Sequence, residues 1–228
     1  DLLADASASD VDLNDTLSVT DYSASIDVGT IPAGALSLDA DGKTLTIDPD
    51  AFGFLSLGET RVVTVDYNVF DGTVKVANTA TITINGANDG PVAVDVAATA
   101  SEDGPVVTIS ADYSDIDSSD THTFAVDTTG TTGLVTNNGD GTFDYDPNGQ
   151  FESLSVGDTA TDTFQYTVTD FNGLSDTKTV TVTITGDNDA PTVTAIVSGP
   201  VSEDAASYVI DLLADASASD VDLNDTLS

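Results

Sequence analysis

The sequence predicts an all-β chain of tandem β-sandwich domains, each about 100 residues long. Three observations predict it: apolar residues alternate with polar ones in run after run, turn signals separate the runs, and the whole pattern repeats along the 228 residues. The first eighteen residues, Asp1 to Ser18, reappear letter for letter as Asp211 to Ser228. A weaker similarity at about half that spacing relates two units within each period, and self-similarity on this scale marks an array. The chain therefore reads as a window on a longer repeat protein, neither end being a natural terminus.

Taken in order, Leu36 to Ile47 reads as a hairpin about Asp41-Gly42, and the first unit's last hairpin turns at Asp71-Gly72. In the second unit Leu134 to Tyr145 folds about Asp140-Gly141. Thr163 to Thr169 places Phe164, Tyr166 and Val168 on one face, and Thr177 to Thr185 does the same with Val180, Val182 and Ile184. Asp170-Phe171-Asn172-Gly173 between them carries Asn-Gly turn chemistry. Phe52 and Phe54 near Phe151, and Tyr67 matching Tyr166, recur as core positions do, with Phe151 and Leu154 pinned inside by a segment that wraps between sheets. His122 belongs on a strand edge, and no segment shows helical periodicity. About seven short strands per hundred residues describe an immunoglobulin-like or cadherin-like β-sandwich.

Both units close alike. Ile84 to Pro91 matches Ile184 to Pro191, a Gly-to-Pro segment between the last strand of one unit and the first of the next. Residues 90–189 make one complete sandwich, residues 1–89 lack the opening strands, and residues 190–228 open the next repeat. Joining 190–210 to 1–89 yields another complete domain.

Forty acidic residues stand against Lys43, Arg61, Lys75 and Lys178, for a net charge of −36. Only Glu59, Glu102, Glu152 and Glu203 are glutamates, so the acid is almost all Asp, a residue of loops, turns and cation sites. Two carboxylates ~4 Å apart repel by roughly 4 kcal/mol at an effective dielectric near 20, so bound divalent cations are the expected remedy for clustered acids; the competing reading, the acid-coated surface of a saline habitat, predicts scattered charge instead. The same surface excludes nucleic acid and anionic membranes as partners. No apolar run approaches the ~20 residues needed to span a bilayer, so direct membrane insertion is not expected. With no Cys and one His, nucleophilic constellations find no support, and the Asp-Gly-Thr runs at 71–73 and 140–142 fall where hairpins turn. An enzyme is not expected.

Tyr166-x-Val168-x-Asp170, followed by Thr181 to Pro191 with its Asp187-Asn188-Asp189-Ala190-Pro191 ending, closely resembles the VCBS and cadherin-like tandem repeats of giant bacterial RTX-type surface adhesins. The resemblance covers essentially the whole chain. It implies tandem sandwiches, calcium held at domain junctions, export through a type I pathway, and roles in adhesion and biofilm. The first linker departs from the pattern with Ala87 in the place of Asp187.

Strand order alone gathers the acids. A strand leaving the linker brings the first turn to the far pole, and the strand after it returns to the near pole. Junction 89/90 is therefore expected to collect Asn88, Asp89, Asp115, Asp117 and Asp170. Junction 189/190 is expected to collect Glu102 and Asp103 from below, Asp187, Asn188 and Asp189 from the linker, and Asp220 and Asp222 from above. Glu203 plays the lower role for a neighbouring domain, while Asp10 and Asp12 repeat the places of Asp115 and Asp117. Oxygen ligands of this kind suit Ca2+, which accepts six to eight at flexible geometry, whereas zinc and copper favour His or Cys.

The function expected is a calcium-stabilised extracellular stalk or fibre of a cell-surface adhesin or biofilm matrix, its neighbours being identical repeats head to tail. Contacts with other cells or surface glycans fall to modules outside this sequence. Two alternatives stay open: a strand-complemented filament subunit, and a binding module for carbohydrate, ice or a cell surface through outward Thr residues.

Overall fold

The computed structural model describes residues 1–12, 15–197, 199–214 and 216–226. They form two compact units: residues 1–91 with 115–121 and 170–174, and residues 92–114, 122–169 and 175–228.

The first unit holds the one-turn helix α1 (Leu2–Asp5) and strands β1 (Ser18–Ile26), β2 (Leu36–Leu38), β3 (Leu45–Ile47), β4 (Thr60–Phe70) and β5 (Lys75–Asn85). Antiparallel pairing gives one sheet in the order β1-β4-β5, and β2-β3 is the expected hairpin, with Gly42 at φ 69° in its turn. The apolar face of β4 buries Val63, Val65 and Tyr67 against Leu2, Ala35, Phe52 and Leu55. Tyr67 satisfies its hydroxyl by donating to Leu2 O (3.0 Å) while accepting from Asn78 Nδ2 (2.8 Å). In β1 the register shifts between Thr20 and Ser23, where Asp21 takes φ 54° and its carboxylate meets Lys75 Nζ at 2.6 Å.

The helix α1 departs from the expectation of no helix. One turn is too short for a periodic signal, and a local cap specifies it: Asp1 Oδ1 accepts from Leu3 N (3.0 Å) and Ala4 N (3.2 Å). The identical segment later in the chain makes the same turn, with Asp211 Oδ1 accepting from Leu213 N (3.1 Å) and Ala214 N (3.0 Å). Ser7 and Ser217 follow at φ 52° and 48°. Their surroundings differ, for Leu2 is 6% exposed and Leu212 73%.

The second unit holds β6 (Val92–Val94), β7 (Val96–Ser101), β8 (Val107–Ser110), β9 (Asp112–Ser114), β10 (His122–Asp127), β11 (Leu134–Asn137), β12 (Thr142–Asp146), β13 (Thr159–Asp170) and β14 (Ser175–Thr185). One sheet runs β10-β13-β14-β7, with β7 parallel to β14, and a second runs β11-β12-β8. Facing residues of the two, among them Phe143, Tyr145, Phe164, Tyr166, Val180, Val182 and Ile184, form the core, with Phe151 and Leu154 partly buried against it. His122 opens the edge strand β10, its ring 4.9 Å from that of Tyr113.

A carboxylate lies inside this core. Asp162 is buried and accepts from Thr132 N (3.0 Å), Gly133 N (2.8 Å), Thr163 N (2.9 Å) and the Tyr145 hydroxyl (2.8 Å). Burial alone would raise its pKa, but these donors together hold it below the usual Asp value.

Both units end on the same clamp. Gly86 N donates to Glu59 O (2.9 Å) and Gly186 N to Asp158 O (3.0 Å), while Glu59 and Asp158 donate in turn to Ser56 O and Ser155 O (2.9 Å each). A Cβ on Gly86 would collide with Leu55 O and Ser56 O, and one on Gly186 with Leu154 O and Ser155 O. The glycine of the closing motif is thus required by backbone approach rather than by a left-handed φ. Gly186→Ala is expected to lower stability by about 1–3 kcal/mol through backbone displacement. A denaturant midpoint unchanged from that of the parent chain would contradict it.

Candidate metal centre

Each of the two acid clusters expected from strand order lies wholly within one compact unit. In the first unit, Asp170 Oδ1 locks its own hairpin turn by accepting from Gly173 N (2.6 Å) and Leu174 N (2.9 Å), leaving Oδ2 for Asn88 Nδ2 (2.8 Å). Asp115 Oδ1 accepts from Asp117 N (3.0 Å), and that turn directs Asp117 inward, where Oδ2 accepts from Asp89 N (2.8 Å). Asp115, Asp120 and Asp170 each offer a carboxylate oxygen within 4.8 Å of the others. Asn172 Nδ2 donates to Asn88 Oδ1 and, at 3.5 Å, to Asp120 Oδ2.

The second unit repeats the device. Asp220 Oδ1 accepts from Asp222 N (3.1 Å), and Asp222 Oδ2 accepts from Asp189 N (3.0 Å), just as Asp117 does from Asp89. From the turn after β7, Glu102 Oε1 accepts from Asp187 N (2.8 Å). Glu102, Asp189 and Asp222 offer oxygens within 4.8 Å of one another, and so do Asp103, Glu152 and Asp189, so Asp189 belongs to both groups.

Not every expected residue enters a cluster. Asp187 is exposed and its carboxylate accepts from Ser101 Oγ, so Ala87 in the first linker removes no member of the first group. Asn188 Nδ2 donates to Asp189 O (2.7 Å). Asp220 acts by holding Asp222 N, outside the groups of close oxygens. Glu203 is exposed and lies outside every acid group among the described residues. Asp10 and Asp12 join Asp15 in an exposed group. Three residues were missed: Asp120, Asn172 and Glu152. A signal for Asp120 exists, since Asp-x-Asp-x-x-Asp recurs at 10–15, 115–120 and 220–225. Glu152 has no acidic counterpart beside Phe52, where Gly53 stands.

The lysines and the arginine meet other groups. Lys43 lies 3.6 Å from Asp1, Lys75 and Lys178 meet Asp21 and Asp176, and Arg61 donates to Thr60 O (2.8 Å), all outside the clusters. Burial, reinforced by the neighbouring Asp120, Asp89 and Asp115, raises the pKa of Asp117. Burial likewise raises Glu102, with Asp189, Glu152 and Asp103 adding repulsion. Burial also raises Asp189, with Asp103, Asp222 and Asp220 adding repulsion, and Glu152, with Asp189 and Asp103 adding it. By contrast, hydrogen bonds from Asn88, Leu174 and Gly173 outweigh burial and lower Asp170.

Among the described residues, the buried side-chain polar atoms with no hydrogen-bond partner are Glu102 Oε2, Asp117 Oδ1, Asp189 Oδ2 and Asp222 Oδ1. All are carboxylate oxygens of these two clusters. A buried, unpartnered carboxylate oxygen is costly unless a cation meets it. An all-oxygen donor set with Asn and backbone carbonyls at hand fits a hard divalent ion, Ca2+ before Mg2+.

Residues 88–186 match the sequence model of the bacterial cadherin-like domain family. No curated protein matches the chain. Among solved structures, human CDH23 domains EC21–23 align at 15% identity over 92% of this chain and 75% of that one, with a TM-score of 0.55. Protocadherin Gamma B7 domains 1–4 align at 17% identity over 86% of this chain and 52% of that one, TM-score 0.41. Drosophila N-cadherin EC1–4 aligns at 14% identity over 80% and 45%, TM-score 0.40. The chain thus spans about half the length of the last two structures. The fold class is that of cadherin-like β-sandwiches, as the sequence resemblance implied, and cadherin-like domains are structural and adhesive modules rather than enzymes. As a class they bind Ca2+.

Proposed function

We propose that this chain is a calcium-stabilised extracellular stalk segment, in which repeats 1–89, 90–189 and the opening 190–228 belong to successive sandwiches of a bacterial surface adhesin or biofilm matrix protein. Ca2+ is held in the first cluster by Asp115, Asp117, Asp120, Asp170, Asn88 and Asp89. Glu102, Asp103, Glu152, Asp189 and Asp222 hold it in the second. The single observation that carries this reading is the coincidence of every unpartnered buried side-chain polar atom among the described residues with these clusters. Each cluster joins a Gly-to-Pro linker to loops from the sequence on its far side, so ion binding stiffens the chain where one repeat passes into the next. Export through a type I pathway and head-to-tail repetition of identical neighbours complete the reading.

Small-angle scattering of the whole chain in millimolar calcium, then in chelator, tests it. The expected result is an extended, rigid profile that becomes shorter and more flexible on chelation. A profile indifferent to calcium would turn the acids into solvated turn residues and remove the stalk mechanism.

A further inference from the structure

The chain contains four Asn-Gly pairs: Asn85-Gly86, Asn138-Gly139, Asn148-Gly149 and Asn172-Gly173. Asparagine is a thermolabile residue, and a following glycine, having no Cβ, lets the next backbone nitrogen close on the side-chain amide. The attacking atom is the glycine nitrogen, so a glycine N–H already committed to an acceptor is withdrawn from the reaction. By sequence the four pairs are equal; by structure they are not.

Three of the four glycine N–H groups are held. Gly86 N donates to Glu59 O (2.9 Å) in the closing clamp, and Asn85 is paired with Thr60 at the end of β5. Gly139 N donates to Asn137 Oδ1 (2.9 Å), while the Asn138 amide donates to Thr142 Oγ1 (3.1 Å). Gly173 N donates to Asp170 Oδ1 (2.6 Å), and the Asn172 amide donates to Asn88 Oδ1. The fourth pair differs. Among the described residues, the exposed turn at 147–150 is tied by Gln150 N donating to Pro147 O (3.2 Å), Asn148 N to Asp146 Oδ1 (2.8 Å) and Gln150 Nε2 to Asn148 O (3.1 Å). Neither Gly149 N nor the Asn148 side chain takes part in these bonds. Asn148 also stands at φ 53°, a region that L residues other than Asn and Asp seldom occupy, and surface bonds alone keep it there.

We propose that Asn148 is a site of spontaneous deamidation, the reactive member of the four pairs. Gly149 N attacks Asn148 Cγ, its proton and the side-chain NH2 leave together as ammonia, and a five-membered succinimide closes across the Asn148–Gly149 peptide. Water, the sole co-reactant, then opens the ring at either carbonyl to give aspartate or isoaspartate. The product carries one more negative charge. That charge falls on the turn beside Glu152, whose Oε1 lies 3.7 Å from where a Cβ on Gly149 would stand, and Glu152 belongs to the group with Asp103 and Asp189. Ageing of the chain thus adds charge next to the second acid cluster. Any effect of that charge on ion binding rests on the calcium reading; the modification does not.

The test holds the whole chain at mildly alkaline pH and physiological temperature, folded in buffer and unfolded in guanidinium, and follows each Asn-Gly pair by peptide-mapping mass spectrometry. Unfolded, the four pairs are expected to convert at similar rates. In the folded chain Asn148 is expected to lead the other three by about tenfold or more, since a hydrogen bond that must first open holds the reacting fraction down by about that factor. A second measurement follows the intact chain by anion exchange, where Asn148→Gln is expected to abolish the acidic species that accumulates in the aged parent. Folded conversion that is fastest at Asn85, Asn138 or Asn172, or equal at all four, overturns the proposal. So does an acidic species that builds up in the Asn148→Gln chain as fast as in the parent. Neither readout depends on a bound ion, so the calcium reading stands or falls separately.

Discussion

Chelation is expected to lower the stability of each unit by about 2.7 kcal/mol per site occupied at a hundred times its Kd. For domains of this size that is on the order of 10–20 °C in Tm. The reason is the buried carboxylate oxygens of Asp117 and of Glu102, Asp189 and Asp222 that meet no hydrogen-bond donor among the described residues. Without the ion they repel in a half-dry setting; with it, the same oxygens become ligands. Asp222→Asn separates the two states. Its amide oxygen can still accept from Asp189 N, but a charge and a ligand oxygen are gone. The substitution should raise Tm in chelator and lower it in calcium, and calorimetry in both conditions reads the reversal of sign. The same effect in both would show that Asp222 is only a hydrogen-bond acceptor. Proton linkage gives an independent check on the metal-free chain. Glu102, Asp117 and Asp189 have folded pKa values raised above their unfolded ones, so the folded state holds protons more tightly. Their contribution is present below the unfolded pKa and is lost as pH rises through the folded values. Metal-free protein should therefore gain stability from these groups as pH falls through their folded values.

Asp162→Ala is expected to cost about 3 kcal/mol or more, enough to unfold much of the second unit in a marginal background. The change strands Thr132 N, Gly133 N and the Tyr145 hydroxyl in the core, and bonds to a charged acceptor are worth more than neutral ones. Here the linkage runs the other way. The folded pKa of Asp162 is lowered, so its contribution is present above the unfolded pKa and is lost as pH falls through the folded one. Urea melts at neutral and acid pH measure both effects. A variant within a few tenths of a kcal/mol of the parent at neutral pH would mean that water replaces the carboxylate.

Much of this architecture is legible from residue patterns, because strands and tight turns are local signals. Phe164, Tyr166 and Val168 declare one face of β13 by alternation alone, and Asp41-Gly42 declares its hairpin. The meeting of Glu102 with Asp189, and of Asp117 with Asp89, follows from chain direction: each strand reverses the pole at which the next turn lies. Asp162 resists such reading. Alternation puts it on the same inward face as Phe164, but nothing local announces the donors that make a carboxylate tolerable there, because Thr132, Gly133 and Tyr145 arrive from far along the chain. Glu152 is hidden for the opposite reason, being one acid among 40 with no counterpart in the other unit. Phe151 fell between: it does pack on the core, but only in part, whereas its counterpart Phe52 is fully enclosed.

The capped turn shared by Asp1 and Asp211 bears on how such a chain acquires its structure. The same bonds form where Leu2 is enclosed and where Leu212 faces water, so the turn needs no completed sandwich around it. A chain emerging end first can therefore carry a ready-made seed at this point of each period, closing a loop of a few residues in well under a microsecond, long before distant strands can find their partners. Sequence repeated letter for letter invites wrong pairings between neighbours. A seed that depends on nothing but its own residues lets either copy of the segment begin in register before distant strands are in place.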